Sequence, residues 1–369
     1  MRRCAPSHPE TATVNRIRLV TRRRATSNRP TLATVADAVG VSMATVSRAL
    51  ASRPHPDIST ETRERIQAAA RELGYTPSAA ARSLRTGRSH SLCLIVSARD
   101  WVWWGPISVG VEGEARARGY AVRLEMWDPA DDSPELLGKR LKSYVDDGVI
   151  AIDMGPIPDL AAILPAAVPV VFVDDVNDLP DQAVVAAANE EGAYRATRHL
   201  VETGRRVIAG VFRSGNYRYV RERHAGYRAA LLDAGLTYRS ELVTFSDLPW
   251  DAPLATSEPI ERLLDGHADI DAVFACTDNL AAGVLRALHG RSIDVPGQVA
   301  VVGFDDERAA TLVQPNLTTV RQPFAELGRT AVRLIDEALS AEQAVRRQRI
   351  ELPVELVVRE SSRPVGVTE

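Results

Sequence analysis

Cysteine, aromatic residues and long apolar runs are all scarce in this chain of 369 residues. Its 3 cysteines (Cys4, Cys93, Cys276) are too few and too scattered for a disulfide framework or a thiolate zinc site, which favours a reducing, cytoplasmic setting. No stretch of about 18 apolar residues occurs, so nothing in the sequence reads as a membrane span. Arg16 and Arg18 interrupt the only apolar segment near the N-terminus that could form a signal-peptide core, which argues against secretion. No glycine-rich phosphate loop, no Gly-x-Ser-x-Gly elbow and no metal-spaced histidine cluster is present, so an enzyme with a resident cofactor or metal is not expected. The 7 histidines are dispersed, and solvated positions are expected for His199, His224, His267 and His289. What is there, 45% hydrophobic and 25% charged residues, is ordinary for a globular chain of two or three domains.

The net charge of −3 hides an asymmetry. Residues 1–90 hold 16 Lys+Arg and 6 Asp+Glu, a balance of +10, while the remainder carries 29 against 42. A basic end on an acidic body suits contact with a polyanion at that end; a solvated basic tail is the alternative. Much of the excess lies in residues 1–29, which contain 8 arginines and little apolar periodicity. They read as a disordered basic arm or as sequence upstream of the true start.

Order is expected from Thr31. Leu32, Val35, Ala36 and Val39 form the stripe of a short amphipathic helix, and Gly40 ends it. Ser42 can cap a second helix with Val46, Ala49 and Leu50 inside. After a proline-rich loop, Ser59 caps a third helix with Ile66, Ala69, Ala70 and Leu73 inside and Gly74 closing it. Two short helices joined by a tight turn and propped by a third make an all-α helix-turn-helix headpiece over residues 30–76. Residues 77–90 form a linker, and the texture changes from Ser91. Apolar runs such as Leu92–Val96, Val122–Met126, Val149–Ile152, Val170–Val173, Val207–Phe212, Leu242–Phe245, Ala272–Cys276 and Val299–Phe304 alternate with amphipathic segments such as Val109–Arg118, Leu136–Asp146 and Leu280–Leu288. That alternation predicts parallel sheets covered by helices. Residues 91–363 are too many for one such sheet, so two Rossmann-like α/β lobes are expected, followed by a tail over 364–369. Ligands of open α/β sheets bind beyond the carboxyl ends of the strands, which here would border a cleft.

The run from Thr31 to Leu50 (TLATVADAVGVSMATVSRAL), together with Ser59–Arg63 (STETR), Leu73–Pro77 (LGYTP) and Ala81–Gly87 (ARSLRTG), resembles the DNA-binding region of the LacI/GalR transcriptional regulators. The resemblance extends from Thr31 to about Arg363 and implies a headpiece, a hinge helix and a periplasmic-binding-protein-like core that binds a small effector. On the second helix Met43, Ala44, Ser47 and Arg48 lie opposite the inward residues. A helix in the major groove reads base edges with such side chains, and the Arg48 fork matches the two acceptors of guanine. Thr31, Ser42, Thr45 and Ser47 are hydroxyls suited to phosphate contacts, or simply to helix capping. The resemblance further implies that the hinge helix, from Pro77, forms only on DNA and that Leu84 wedges into the minor groove.

Trp101, Trp103 and Trp104, with Pro106 after them, form a tryptophan cluster just past the first strand. Their ring faces suit a sugar, or a flat purine; packing within a lobe or dimer is the other reading. By resemblance Trp103 and the neighbourhood of Pro106, Asp174, Arg223 (in RHAGY) and Asp305 (in VVGFDD) face the effector. Thr277 and Asp278 follow the Ala272–Cys276 run, and Trp250 aligns loosely with a stacking aromatic. Capping or ion pairing remains an alternative for each acidic residue. The chain therefore reads as a repressor, without metal or cofactor, acting as a homodimer on near-palindromic operator DNA under control of a sugar-like effector. A purine-type corepressor, or a carbohydrate-binding protein or enzyme with a vestigial headpiece, are the alternatives. The Phe324–Leu339 helix and the lobe nearest the DNA are candidate dimer surfaces, and the absence of C-terminal heptads implies a dimer rather than the family's tetramer. Arg48→Ala is expected to cost about 1–3 kcal/mol at the base pair it reads. Competition binding across operator variants measures this, and an unchanged base preference would refute the role.

Overall fold

The computed structural model describes residues 30–50, 56–76, 87–98, 101–128, 131–152, 160–165, 167–174, 182–247 and 258–363. It divides into two compact units, Met1–Arg82 and Ser83–Glu369. Leu84, Trp250 and the whole expected hinge helix lie outside the described residues, as does the Trp101 side chain.

In the first unit, α1 (Leu32–Val39), α2 (Met43–Ala49) and α3 (Thr60–Glu72) each start on a hydroxyl cap. Thr31 and Thr34 cap each other reciprocally, Ser42 Oγ accepts from Thr45 N at 3.1 Å, and Ser59 Oγ accepts from Thr62 N at 3.2 Å. Such caps satisfy amides that have no carbonyl partner in the first turn. Gly40, at φ 74°, turns the chain sharply between α1 and α2 and donates to Ala36 O. The core is small: Val35, Ala36, Val46, Ala49, Ile66 and Ala70. Only three of these are large, at about 1.5–3 kcal/mol each, so caps and the Arg65 bond to Val39 O matter to this bundle. Leu73, expected inside, is 37% exposed because it forms the C-cap beyond the last buried turn.

The second unit holds two six-stranded sheets. The first lobe has strand order β2-β1-β3-β4-β5-β11, all parallel: Ala121–Trp127, Ser91–Ser97, Gly148–Ile152, Val170–Val173, Ala183–Ala187 and Gln348–Leu352. The second has β7-β6-β8-β9-β10-β12: Val243–Ser246, Ile208–Arg213, Ala272–Ala275, Ala300–Asp305, Thr318–Arg321 and Glu355–Val357, with β12 antiparallel. Strands such as β3 and β8 are buried along their whole length, as strands covered on both faces must be.

On one face of the first sheet lie α4 (Trp101–Ala117) and, returning from the second lobe, the later helix Phe324–Ala341; α5 (Pro134–Ser143) and α6 (Leu160–Ile163) pack on the other. The second lobe carries α7 (Asn189–Glu202), α8 (Arg218–Asp233), α9 (Glu258–Gly266), α10 (Asp278–Gly290) and α11 (Ala309–Leu312). Phe324–Ala341 is then α12. The chain crosses between lobes three times: β5 to α7, β10 to α12, and β11 to β12. Each crossing leaves from a strand's carboxyl end, so those ends border the space between the lobes.

Two expectations need correction. The helix expected from Val109 begins already at Trp101, so Pro106 lies inside it rather than before it. The apolar face of α12 is not a free dimer surface, because Leu327, Ala331, Val332, Leu334 and Ile335 are buried in the first lobe's core. Its backbone meets α4 closely. A Cβ on Gly110 would strike the Ala325 backbone, and one on Gly328 would lie 2.8 Å from Val111 N. Gly328→Ala is therefore expected to destabilise the core unit by about 1–3 kcal/mol, seen as a lower urea midpoint; an unchanged midpoint would contradict this helix contact.

Candidate functional site

The outward face of α2 carries the residues expected to meet DNA. Val46 and Ala49 anchor the helix in the headpiece core, while Met43 (57% exposed), Ala44 and Arg48 stand in solvent and Thr45 and Ser47 are half-buried. Ser42 Oγ also lies 2.9 Å from Thr45 Oγ1, so both hydroxyls are held at the helix start. A short anchored helix with an exposed first turn can enter a major groove and present those side chains to base edges and phosphates.

The second site is built at the carboxyl ends of the second lobe's strands. Arg223, on α8, is 2% exposed. Its Nε donates to Asn189 Oδ1 at 2.9 Å, and its Nη1 donates to Cys276 O at 2.5 Å and to Asp305 Oδ1 at 3.1 Å. The guanidinium carbon sits 3.6 Å from the Phe304 ring centroid and 4.9 Å from that of Tyr219. A guanidinium so enclosed needs a full set of partners, since burying a charge without them costs several kcal/mol. Its Nη2 donates to none of the described residues. Gln322, which follows β10 and is 3% exposed, donates from Nε2 to the same Asp305 oxygen at 2.7 Å, and its own Oε1 is buried without a partner. One donor edge and one acceptor, on the two side chains that bond Asp305, thus have no partner among the described residues.

The acids at these strand ends have unusual backbones. Asp305, the last residue of β9, has φ 123°, and Asp174, in the first lobe after β4, has φ 56°. Left-handed backbone at a non-glycine residue costs on the order of 1–3 kcal/mol and persists where the surroundings impose it, often at binding sites. Asp174, 9% exposed, donates its amide to Val185 O at 2.9 Å.

Other expected site residues have different work. Asp278 is fully buried; it accepts from Thr319 Oγ1 at 2.5 Å and from Glu307 N at 2.8 Å, so its carboxyl ties the start of α10 to β10 and the segment after β9. Thr277 is the N-cap of α10, accepting from Leu280 N at 3.3 Å. Trp103 is enclosed in the first lobe's core with its ring edge-on to Phe324, centroids 6.2 Å apart. Trp104 packs against the same core, and its indole donates to Ser97 O at 2.9 Å. Both rings serve packing, and Pro106 is exposed on the helix surface. The structure thus brings together Arg223 and Asp305 and adds Asn189 and Gln322, which sequence reading missed. Both follow strands left unread: β5 is alanine-rich, and β10 is only four residues long.

His199 and His224 are half-buried and hydrogen-bonded. Their ring nitrogens pair with Ser362 Oγ at 2.7 Å and Tyr238 OH at 3.0 Å, and burial depresses the pKa of both. Burial pushes the Cys93 and Cys276 thiols up to about 12, which keeps them from nucleophilic work near neutral pH.

Residues 31–78 match the family described as bacterial regulatory proteins, lacI family, and residues 197–362 match a periplasmic binding protein-like domain. The HTH-type transcriptional regulator CelR of Thermobifida fusca is 35% identical over 343 residues, covering 90% of this chain and 98% of that protein. The solved transcriptional regulator CelR–cellobiose complex is 33% identical with TM-score 0.67, covering 90% of this chain and all of that one. The lac repressor dimer bound to operator shares the fold at TM-score 0.73 and 24% identity, over 90% and 99% of the respective chains.

The buried acid pair makes stability depend on pH. Burial lifts the Asp278 carboxyl well above the usual range, with Asp305 adding to the effect; burial also outweighs Arg223 and Gln322 to raise Asp305. A raised folded-state pKa gives stability that is complete below the unfolded value near 3.8 and is lost as pH rises through the folded value. Urea denaturation over pH 4–8 should show this decline, and Asp278→Asn should flatten it. An equally steep slope in the variant would contradict the assignment.

Proposed function

The chain belongs to the LacI family of bacterial regulatory proteins, and on that premise we propose that it is a cytoplasmic transcriptional repressor whose hold on a near-palindromic operator is set by a β-linked glucose disaccharide. Two copies act together, because one small headpiece covers only a half-site and a two-fold operator matches a two-fold dimer. The headpiece reads DNA through α2, with Arg48 on guanine, Met43 and Ala44 beside it, and Thr31, Ser42, Thr45 and Ser47 at phosphates. Leu84 wedges into the minor groove.

The observation that carries the ligand reading is the pair of unanswered groups beside Asp305: the Arg223 Nη2 edge, which donates, and Gln322 Oε1, which accepts. A sugar hydroxyl both donates and accepts, so adjacent hydroxyls can satisfy both, and a buried polar group gains most from a partner when it has no other. Asp174 offers a carboxylate from the first lobe to the other side of the same molecule. A ligand held from both lobes favours the arrangement in which they meet it together, and the three crossings carry that change to the segment leading to the headpiece. The likeness to a cellobiose-bound regulator supports the sugar class. We read the carboxylates as hydrogen-bonding groups rather than a glycosidase pair, since Asp305 is tied to Arg223 and Gln322 and Asp278 is sealed in the β8–α10 junction.

Calorimetry with cellobiose, glucose and hypoxanthine tests the ligand class, with operator binding followed by anisotropy. Cellobiose is expected to bind and to change operator affinity. Gln322→Leu and Asp305→Ala should each lower cellobiose affinity at least tenfold while operator binding without ligand persists. Preference for hypoxanthine would overturn the sugar reading, and a fully responsive Asp305→Ala variant would remove the site.

A further inference from the structure

Next to the ligand cleft lies an ion pair that joins the two lobes directly. Glu222, on α8 of the second lobe, receives Arg349 Nη2 of β11, in the first lobe, at 3.1 Å on both carboxylate oxygens. Arg218 Nε, one turn earlier on α8, also donates to Glu222, at 2.7 Å. Glu222 and Arg349 are mostly buried, with 16% and 17% of their side chains exposed. At such depth the pair is weakly screened and has a defined geometry, unlike an ordinary surface salt bridge.

Asn189 touches both this pair and the cleft. It is the first residue of α7, immediately after the first crossing, and is 1% exposed. Its Oδ1 accepts from Arg223 Nε at 2.9 Å, and its Nδ2 donates to Glu222 Oε2 at 3.2 Å. The two bonds fix the amide's orientation, because turning it over would set NH2 against the guanidinium and oxygen against the carboxylate. An unbroken polar chain therefore runs from the guanidinium at the cleft, through Asn189 and Glu222, to Arg349 on the other lobe.

We propose that Asn189 is a positioning residue that couples Arg223 to the interlobe pair Glu222–Arg349, so that engaging the arginine's free edge shifts the grip between the lobes. The proposal deepens the ligand-controlled reading above and rests on it for what the chain transmits, though not for the chain's existence. Arg223 cannot shift toward a ligand without drawing on Asn189 Oδ1, and the same rigid amide then changes its hold on Glu222. Buried chains of this kind respond as a unit, and removing any member leaves its neighbours unsatisfied. Among the described residues, hydrogen bonds link Glu222 to Arg223 through Asn189, so changes in the Glu222–Arg349 pair affect transmission more than binding.

The test uses the full chain with cellobiose as probe, in wild type, Glu222→Gln, Arg349→Gln, Asn189→Asp and the Asn189→Asp/Arg349→Gln double variant. Calorimetry gives cellobiose affinity, anisotropy gives operator affinity with and without cellobiose, and urea midpoints are taken without ligand. Glu222→Gln and Arg349→Gln are expected to keep cellobiose affinity within about threefold while cutting the cellobiose effect on operator binding at least fivefold. Asn189→Asp keeps the acceptor for Arg223 but sets a like charge against Glu222, and should lose the effect to the same degree. The double variant should be no worse than Asn189→Asp, because the chain is already broken. Full operator response in Arg349→Gln, or effects that add in the double variant, would overturn the proposal. If wild type ignores cellobiose, the sugar reading fails, and the ligand-free midpoints still decide the chain: non-additive losses support it and additive losses refute it.

Discussion

Placing the Arg223 guanidinium almost out of reach of water, under the rings of Phe304 and Tyr219, imposes conditions that much of the second lobe satisfies. A carboxylate must stand beside it, which Asp305 does on a strained backbone at the end of β9. A carbonyl and an amide oxygen must take its remaining inward hydrogens, which Cys276 and Asn189 supply from the ends of β8 and the first crossing. Gln322 Oε1 is left buried without a partner among the described residues, and on the reading proposed above a hydroxyl-bearing ligand would answer it.

The unit that senses ligand and the unit that meets DNA are stabilised differently. Each lobe buries strands on both faces and packs helices closely enough that glycines are needed where α4 meets α12. The headpiece has three large buried side chains and relies on hydroxyl caps and a glycine turn. A closely packed two-lobed unit and a small headpiece with a light core suit a regulator whose sensing and reading parts are stabilised separately.

Much of this was legible in the residues, for particular reasons. The stripe Leu32, Val35, Ala36, Val39 and the caps Ser42 and Ser59 define the headpiece because local hydrogen bonding and 3.6-residue periodicity act within a few positions. The β-branched runs gave most central strands. Strands β5, β10, β11 and β12 escaped because alanine-rich, short or edge strands lack a clear apolar pattern, and Asn189 and Gln322 escaped with them. The tryptophan cluster left two readings open, a ligand surface or packing. Adjacency in sequence suggested a shared ring surface, yet Trp103 and Trp104 follow a helix that turns them into the lobe core. Asp278 likewise sits in the right strand end, and only the tertiary bonds from Thr319 and Glu307 reveal it as a junction residue.

On the proposed reading, one ligand in the interlobe cleft and one operator on the headpieces each bias the arrangement of the same molecule. Linkage makes this measurable from the ligand side: cellobiose affinity is determined by calorimetry for the free protein and again with saturating operator duplex. The account predicts that the two affinities differ by the same factor by which cellobiose alters operator binding. Identical cellobiose affinities with and without operator, in a protein that binds both, would contradict it.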